Sequence, residues 1–218
     1  MSLGELRVVG LAGAGVQLAV ALWLSPALLP FLALTWGYMA LMGREFFVGE
    51  WLKAHPIAYM VSHMLVMPLI DLYATACDWR TAGAAPPEGL VWFLLVSFFN
   101  GMTLEIGRKI RSPEQEEEGV ETYTVLWGRR GAAGAWLGAL ATTACIALLA
   151  ARQVGFLWPA AAVLGALLLA GVATSARFVR RPDPGTARAI ETLSGVWTLA
   201  MYLMLGAAPR LSGLLGSG

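Results

Sequence analysis

The stretch FFNGMTLEIGRKIRSPEQEEEGVETYTVLWGRR, Phe98–Arg130, decides how this chain is read. It opens as the end of an apolar run and becomes the most highly charged loop in the sequence. On a helix continuing through Asn100–Arg111, Glu105, Arg108 and Lys109 fall on one face at spacings of three and four. Asn100 lies further up the same helix, and Ser112-Pro113 is expected to end it, because the residue before a proline avoids the helical region. The apolar run requires a membrane; the charged end requires a reason to stand at its mouth.

The rest of the chain supplies the membrane. Hydrophobic residues make up 58% of the sequence and charged residues 13%, against about 25% charged in a soluble domain. The formal net charge of +1 gives no ground for nucleic-acid binding. Cys77 and Cys145 form neither a metal pair nor a disulfide framework. The first apolar run has no basic leader or clear cleavage site and is read as a retained helix.

A span needs roughly 17–25 mostly apolar residues. About seven segments qualify or nearly do: Val8–Leu24, Ala27–Met42, Pro56–Ala76, Gly89–Leu104, Ala132–Ala151, Gly155–Ser175 and Ala189–Ala208. Lipid offers no partner for backbone amides, so all are expected to be helices. The expected fold is an all-α, polytopic bundle forming one domain over 1–218. Tight links at Ser25-Pro26 and Arg152–Val154 alternate with long charged loops at Gly43–His55, Glu105–Gly131 and Arg177–Arg188. Only Arg80, Arg152 and Arg210 of the fifteen Lys and Arg fall on the face opposite the N-terminus. The bias predicts a cytoplasmic N-terminus, cytoplasmic charged loops and a C-terminus outside. Trp23, Trp79, Trp92 and Trp158 near outer ends, with Trp51 and Trp127 near inner ends, read as an aromatic belt. A weak repeat pairs MGREFFVG, Met42–Gly49, with MTLEIGRK, Met102–Lys109.

Carboxylates with a side-chain amide are hard oxygen ligands suited to Mg²⁺. Lys and Arg bind phosphate oxygens, Arg through two parallel bonds. A cation-bridged diphosphate needs both kinds, and at the mouth of an apolar bundle it would carry a lipid tail. Asn100, Glu105, Arg108 and Lys109 read as functional, whereas Glu114–Glu118 reads as a solvated counter-charge. The earlier constellation, GREFFVGEWLKAHP at Gly43–Pro56, reads either as an interfacial loop or as the other half of the site. Arg44, Lys53 and His55 add positive charge there to Glu45 and Glu50. Asp71 is an intramembrane acid near the outer end of its helix. His63 reads as packed or hydrogen-bonded, and Glu191 either caps the last helix or joins the site.

NGMTLEIGRK followed by GVETYTVLWGRRGA resembles the second signature region of the UbiA superfamily of intramembrane prenyltransferases. Gly119, Thr122, Leu126, Gly128, Arg129 and Arg130 carry the match, and Gly43–Pro56 would then correspond to the family's first acidic motif. The resemblance implies a helical bundle with a cavity open to membrane and cytoplasm, and transfer of a prenyl group from a prenyl diphosphate to an acceptor. It implies Glu45, Glu50, Asn100 and Glu105 as catalytic residues, with Mg²⁺ held by Glu45, Glu50 and Glu105. Arg44, Lys53, Arg108, Lys109, Arg111 and Tyr123 would hold the diphosphate. The family's acids are mostly Asp and its helices typically nine; here the acids are Glu, and Lys109 stands where a second acid belongs. The lipid could therefore be a polyprenyl phosphate. The expected setting is the cell membrane, as a multi-pass protein of a bacterial inner membrane. The competing expectation is a non-catalytic transporter subunit or assembly factor keeping a degenerate site. A CDP-alcohol phosphotransferase is disfavoured, because its Asp-rich pattern is absent from the sequence.

Overall fold

A computed structural model describes residues 2–216. Every regular element among them is helical, and six helices are long and apolar enough to cross a membrane. The apolar helix Pro26–Met42 is shorter and accounts for the seventh expected segment. The chain divides into two compact units, Met1–Pro87 and Glu88–Gly218.

The first unit begins with α1, Leu3–Leu24, capped by Ser2 and Glu5 in a reciprocal capping box. Leu11, Val16 and Trp23 of α1 are exposed, as a lipid-facing helix requires, because lipid tails are as apolar as the side chains. Ser25 ends α1 and starts a single 3₁₀ turn at Pro26–Leu28, which leads into α2, Leu29–Met42. The indole N–H of Trp36 donates to Gln17 Oε1 at 2.9 Å and ties α2 to α1.

After α2 come the short helices α3, Gly49–Lys53, and α4, Pro56–Met64, and then α5, Val66–Trp79. The span expected from Pro56 to Ala76 is there as Pro56–Trp79, kinked at Leu65 between α4 and α5. Pro68 has no N–H to give the carbonyl of Met64, so the ladder is interrupted there. Ala21, Leu28, Leu32, Ala76 and Trp79 form the core of this unit, with Phe31 edge-on to Trp79 at 5.6 Å. The Thr35 hydroxyl lies 3.2 Å from the Leu69 carbonyl, joining α2 to α5.

The expected loop Gly43–His55 is largely helical turn. Glu45, Phe46 and Phe47 all have positive φ, at 48°, 53° and 61°, in a left-handed turn that L-residues adopt at a cost of about 1–2 kcal/mol each. This breaks the equivalence proposed for the two Met-x-x-Glu stretches, since Met102–Arg108 is ordinary helix. Phe47 is 73% exposed, so Phe47→Gly removes little packing. It is expected to raise stability by about 1 kcal/mol through relief at positive φ, measured as a higher Tm in detergent.

The second unit is built from α6, Leu90–Arg108; α7, Tyr123–Gln153; α8, Leu157–Arg180; and α9, Pro184–Tyr202. A π turn at Leu203–Ala207 connects α9 to α10, Ala208–Gly216. It stands just ahead of Pro209, whose ring would clash with the carbonyl four residues back in a regular helix. Buried alanines on α7, among them Ala132, Ala133, Ala139, Ala147 and Ala151, let neighbouring backbones come close, which is how helices associate in lipid. Trp136, Leu140, Phe178, Ile190, Trp197 and Met201 fill the interior.

Two charged stretches are less loop-like than expected. Arg177–Arg188 holds the last turn of α8 and the first of α9, with only Arg181–Asp183 between them. Asp183 caps α9 by accepting from the Thr186 N–H, so Glu191 is not the cap. Glu105–Gly131 narrows to residues 109–122, because α7 starts at Tyr123 and runs through a break at Gly128.

Candidate functional site

The end of α6 carries the densest charge chemistry of the second unit. The helix stops at Arg108, not at Arg111, and Lys109 is its C-cap with φ −101° and ψ 12°. Ser112-Pro113 plays no part in stopping it; Pro113 opens a separate 3₁₀ turn. What holds the end is Ile110, which turns inward and is almost fully buried.

Glu105 is 8% exposed, and both of its oxygens are engaged. Arg108 Nη2 lies 2.5 Å from Oε2 and Lys109 Nζ lies 2.8 Å from Oε1. A buried carboxylate needs such partners, since an unpaired charge out of water is costly. The cations are less enclosed than the acid: the side chain of Arg108 is 62% exposed and that of Lys109 37%. The group therefore presents positive charge outward, organised around a buried negative centre.

Tyr123 closes one side. It is buried, its N–H donates to the Lys109 carbonyl at 3.1 Å, and its ring lies 5.7 Å from Lys109 Nζ. Trp127 stacks on it at 4.5 Å. Thr122 caps α7 by accepting from the Val125 N–H, and its hydroxyl donates to the Glu116 carboxylate at 2.8 Å. The Arg111 N–H donates to Thr124 Oγ1 at 2.9 Å. Arg111 also lines a cleft of about 370 Å³ with Gln115, Glu117, Val120 and Thr122. The structure thus gathers Glu105, Arg108, Lys109 and Tyr123 into one cluster and seats Arg111 in the adjoining loop.

Asn100 sits higher on α6, is fully buried, and has no hydrogen-bond partner at either amide atom. Glu105 and Asn100 are not in one contact group by any hydrogen bond. A buried amide without partners costs about 1–3 kcal/mol. Asn100→Leu is accordingly expected to leave Tm unchanged or raised while reducing function. A clear fall in Tm would mean the amide supports the fold through bonds other than those seen.

The remaining predicted residues belong to the first unit. Glu45 and Arg44 stand at the left-handed turn after α2. Glu50 is exposed and accepts a 3.1 Å hydrogen bond from Lys53 Nζ. That bond, with the charges of Glu50 and Glu45, holds the Lys53 ammonium above its ordinary pKa. His63 stacks on Tyr59 at 3.9 Å and its Nδ1 lies 2.9 Å from the Tyr59 carbonyl, the packed role expected of it.

Among the described residues no three His, Cys, Asp or Glu side chains gather as a metal-binding group. Glu105, with each oxygen already facing a cation, does not fit Mg²⁺, which takes carboxylates as ligands in near-octahedral geometry. The donor set at this helix end suits an anion.

Sequence reasoning missed the node that packs the last turns of α6 against α7 and α9. The Trp136 indole N–H donates to Ser194 Oγ at 2.8 Å, and Ser194 donates to the Ile190 carbonyl at 2.9 Å. Gly107 lies against both: a Cβ there would be 3.0 Å from Ser194 Cβ and 3.2 Å from Trp136 Nε1. The one available signal was the glycine inside LEIGRK.

Fold and composition define a multi-pass α-helical membrane protein. Comparison with family models, curated proteins and solved structures gives no match.

Proposed function

We propose that this chain is an integral-membrane transferase that grips the phosphorylated head of an isoprenoid lipid at the end of α6 and passes its prenyl group to an acceptor. The observation that carries this reading is the buried Glu105 holding Arg108 and Lys109 in place at the mouth of a membrane-length helix. The carboxylate positions the two cations; their exposed surfaces, with Arg111, meet the phosphates. The similarity of Phe98–Ala132 to the UbiA superfamily points the same way, with the charged end in the cytoplasm of a bacterial inner membrane.

The chemistry asked of these residues is leaving-group stabilisation. The allylic C–O bond breaks with its electron pair going to the diphosphate, whose added charge falls on Arg108, Lys109 and Arg111. The prenyl carbon bonds to a nucleophilic atom of the acceptor, which gives up a proton. Tyr123, buried beside Lys109, keeps water from one side of the cation. No step is routed through a metal.

Purified protein incubated with labelled prenyl diphosphates of several chain lengths, with and without Mg²⁺, tests the reading. Binding and transfer are expected. Neither binding nor transfer at any chain length would leave a non-catalytic membrane bundle as the better account.

A further inference from the structure

At the membrane end where α7 starts and α8 ends, the second unit carries six exposed arginines: Arg129, Arg130, Arg177, Arg180, Arg181 and Arg188. Their proximity follows from the hairpins. The α7–α8 turn is centred on Gly155, and Arg130 and Arg180 lie equally far from it along antiparallel helices. The register is fixed midway, where Gly171 packs on Leu140 and Trp136. Arg181 and Arg188 are joined through the short link into α9. Among the described residues none of the six takes part in an ion pair. Asp183, two residues after Arg181, is engaged in capping α9, and neither Glu191, three residues after Arg188, nor Glu121, ahead of Arg129, forms an ion pair with any of the six.

Orientation in the membrane requires positive charge but not this crowding of unpaired guanidinium groups. A guanidinium fork matches phosphate oxygens bidentately, and basic patches at bundle ends attract acidic lipid headgroups. Across the Gly128 break and three to five residues before Arg129 and Arg130, Val125 and Leu126 are 61% and 36% exposed, apolar surface close to the charge along the chain. A soluble phosphate has no use for that surface; an acyl chain has. We propose that this arginine rim binds the headgroups of anionic phospholipids, with Val125 and Leu126 receiving part of the chain. The assignment is independent of whether the α6 end performs transfer.

The full chain is reconstituted in nanodiscs of phosphatidylcholine mixed with phosphatidylglycerol, and retained lipid is measured by native mass spectrometry. Two variants, R129Q/R130Q and R180Q/R181Q, each leave four arginines of the rim to hold orientation. Wild type is expected to retain phosphatidylglycerol preferentially, and each variant to lose about fivefold or more of that enrichment. Inorganic phosphate is expected not to displace the lipid. Unchanged enrichment in both variants overturns the site; displacement by inorganic phosphate overturns its assignment to lipid. Should a Gln pair fail to insert, the Lys pair at the same positions keeps the charge. Its enrichment should fall by about twofold, because an ammonium lacks the fork, and no fall would overturn the role given to the guanidinium groups.

Discussion

Glu105→Gln should lower prenyl transfer by about 100-fold or more, the scale of removing a preorganised electrostatic group, while the protein still inserts in the membrane. The carboxylate faces one cation with each oxygen. An amide offers one oxygen and one NH₂, and the NH₂ must then face either Arg108 or Lys109, donor against donor. At least one cation swings away from its place. Because both cations keep contact with solvent, the loss of folding stability is expected to be small beside the loss of rate. Arg108→Ala should fall by a similar factor through a different route, by removing the phosphate contact proposed for it and leaving the acid paired with Lys109 alone. Titration with a labelled prenyl diphosphate separates the two: Arg108→Ala weakens binding, whereas Glu105→Gln costs turnover more than affinity. Wild-type rates in both variants would take this helix end out of the active site.

Gly107→Ala is the second large expectation, and it concerns stability. The added methyl would collide with the Ser194 hydroxyl and crowd Trp136 Nε1. Ser194 cannot simply rotate away, since its oxygen accepts from the indole and donates to the Ile190 carbonyl, and its Cβ is in the path as well. The α6 and α9 backbones must separate, at a cost of about 1–3 kcal/mol by analogy with overpacked cores. A lowered Tm and weaker protease resistance are the readouts. Ser194→Gly placed on Gly107→Ala should recover part of the loss, but not all, because the indole N–H then lacks its acceptor and an unpaired buried donor costs about 1–3 kcal/mol. An unchanged Tm in Gly107→Ala alone would show that the helices do not approach as described.

Much of this architecture is written locally and can be read from the chain. The spacing of Glu105, Arg108 and Lys109 makes their pairing a property of one helix, and the pairing is there. Apolar length marked the spans because lipid admits little else. The helix ends were harder. Ser112-Pro113 is a strong stop signal, yet α6 ends earlier at Arg108, because burial of Ile110 turns the chain inward. Charge marks Arg177–Arg180 and Tyr123–Arg130 as parts of long loops, yet both are helical, because charge in a terminal helical turn at a membrane face is compatible with helix. The contacts among Gly107, Ser194 and Trp136 join three helices far apart in sequence, and no periodicity within any one of them announces the meeting.

Gly128 has a consequence for how this protein tolerates change. Its φ of 68° and ψ of 162° fall in a region that glycine alone occupies readily, with open space where a side chain would go. Room is therefore not the constraint; backbone chirality is. In a saturation library this position should reject alanine as firmly as tryptophan, a flat profile of intolerance unlike the size-graded one at a packed site. Sequence drift on either side of it would then be free to remodel the short lead-in helix and the long bundle helix separately, with one achiral residue as the seam between two independently varying pieces.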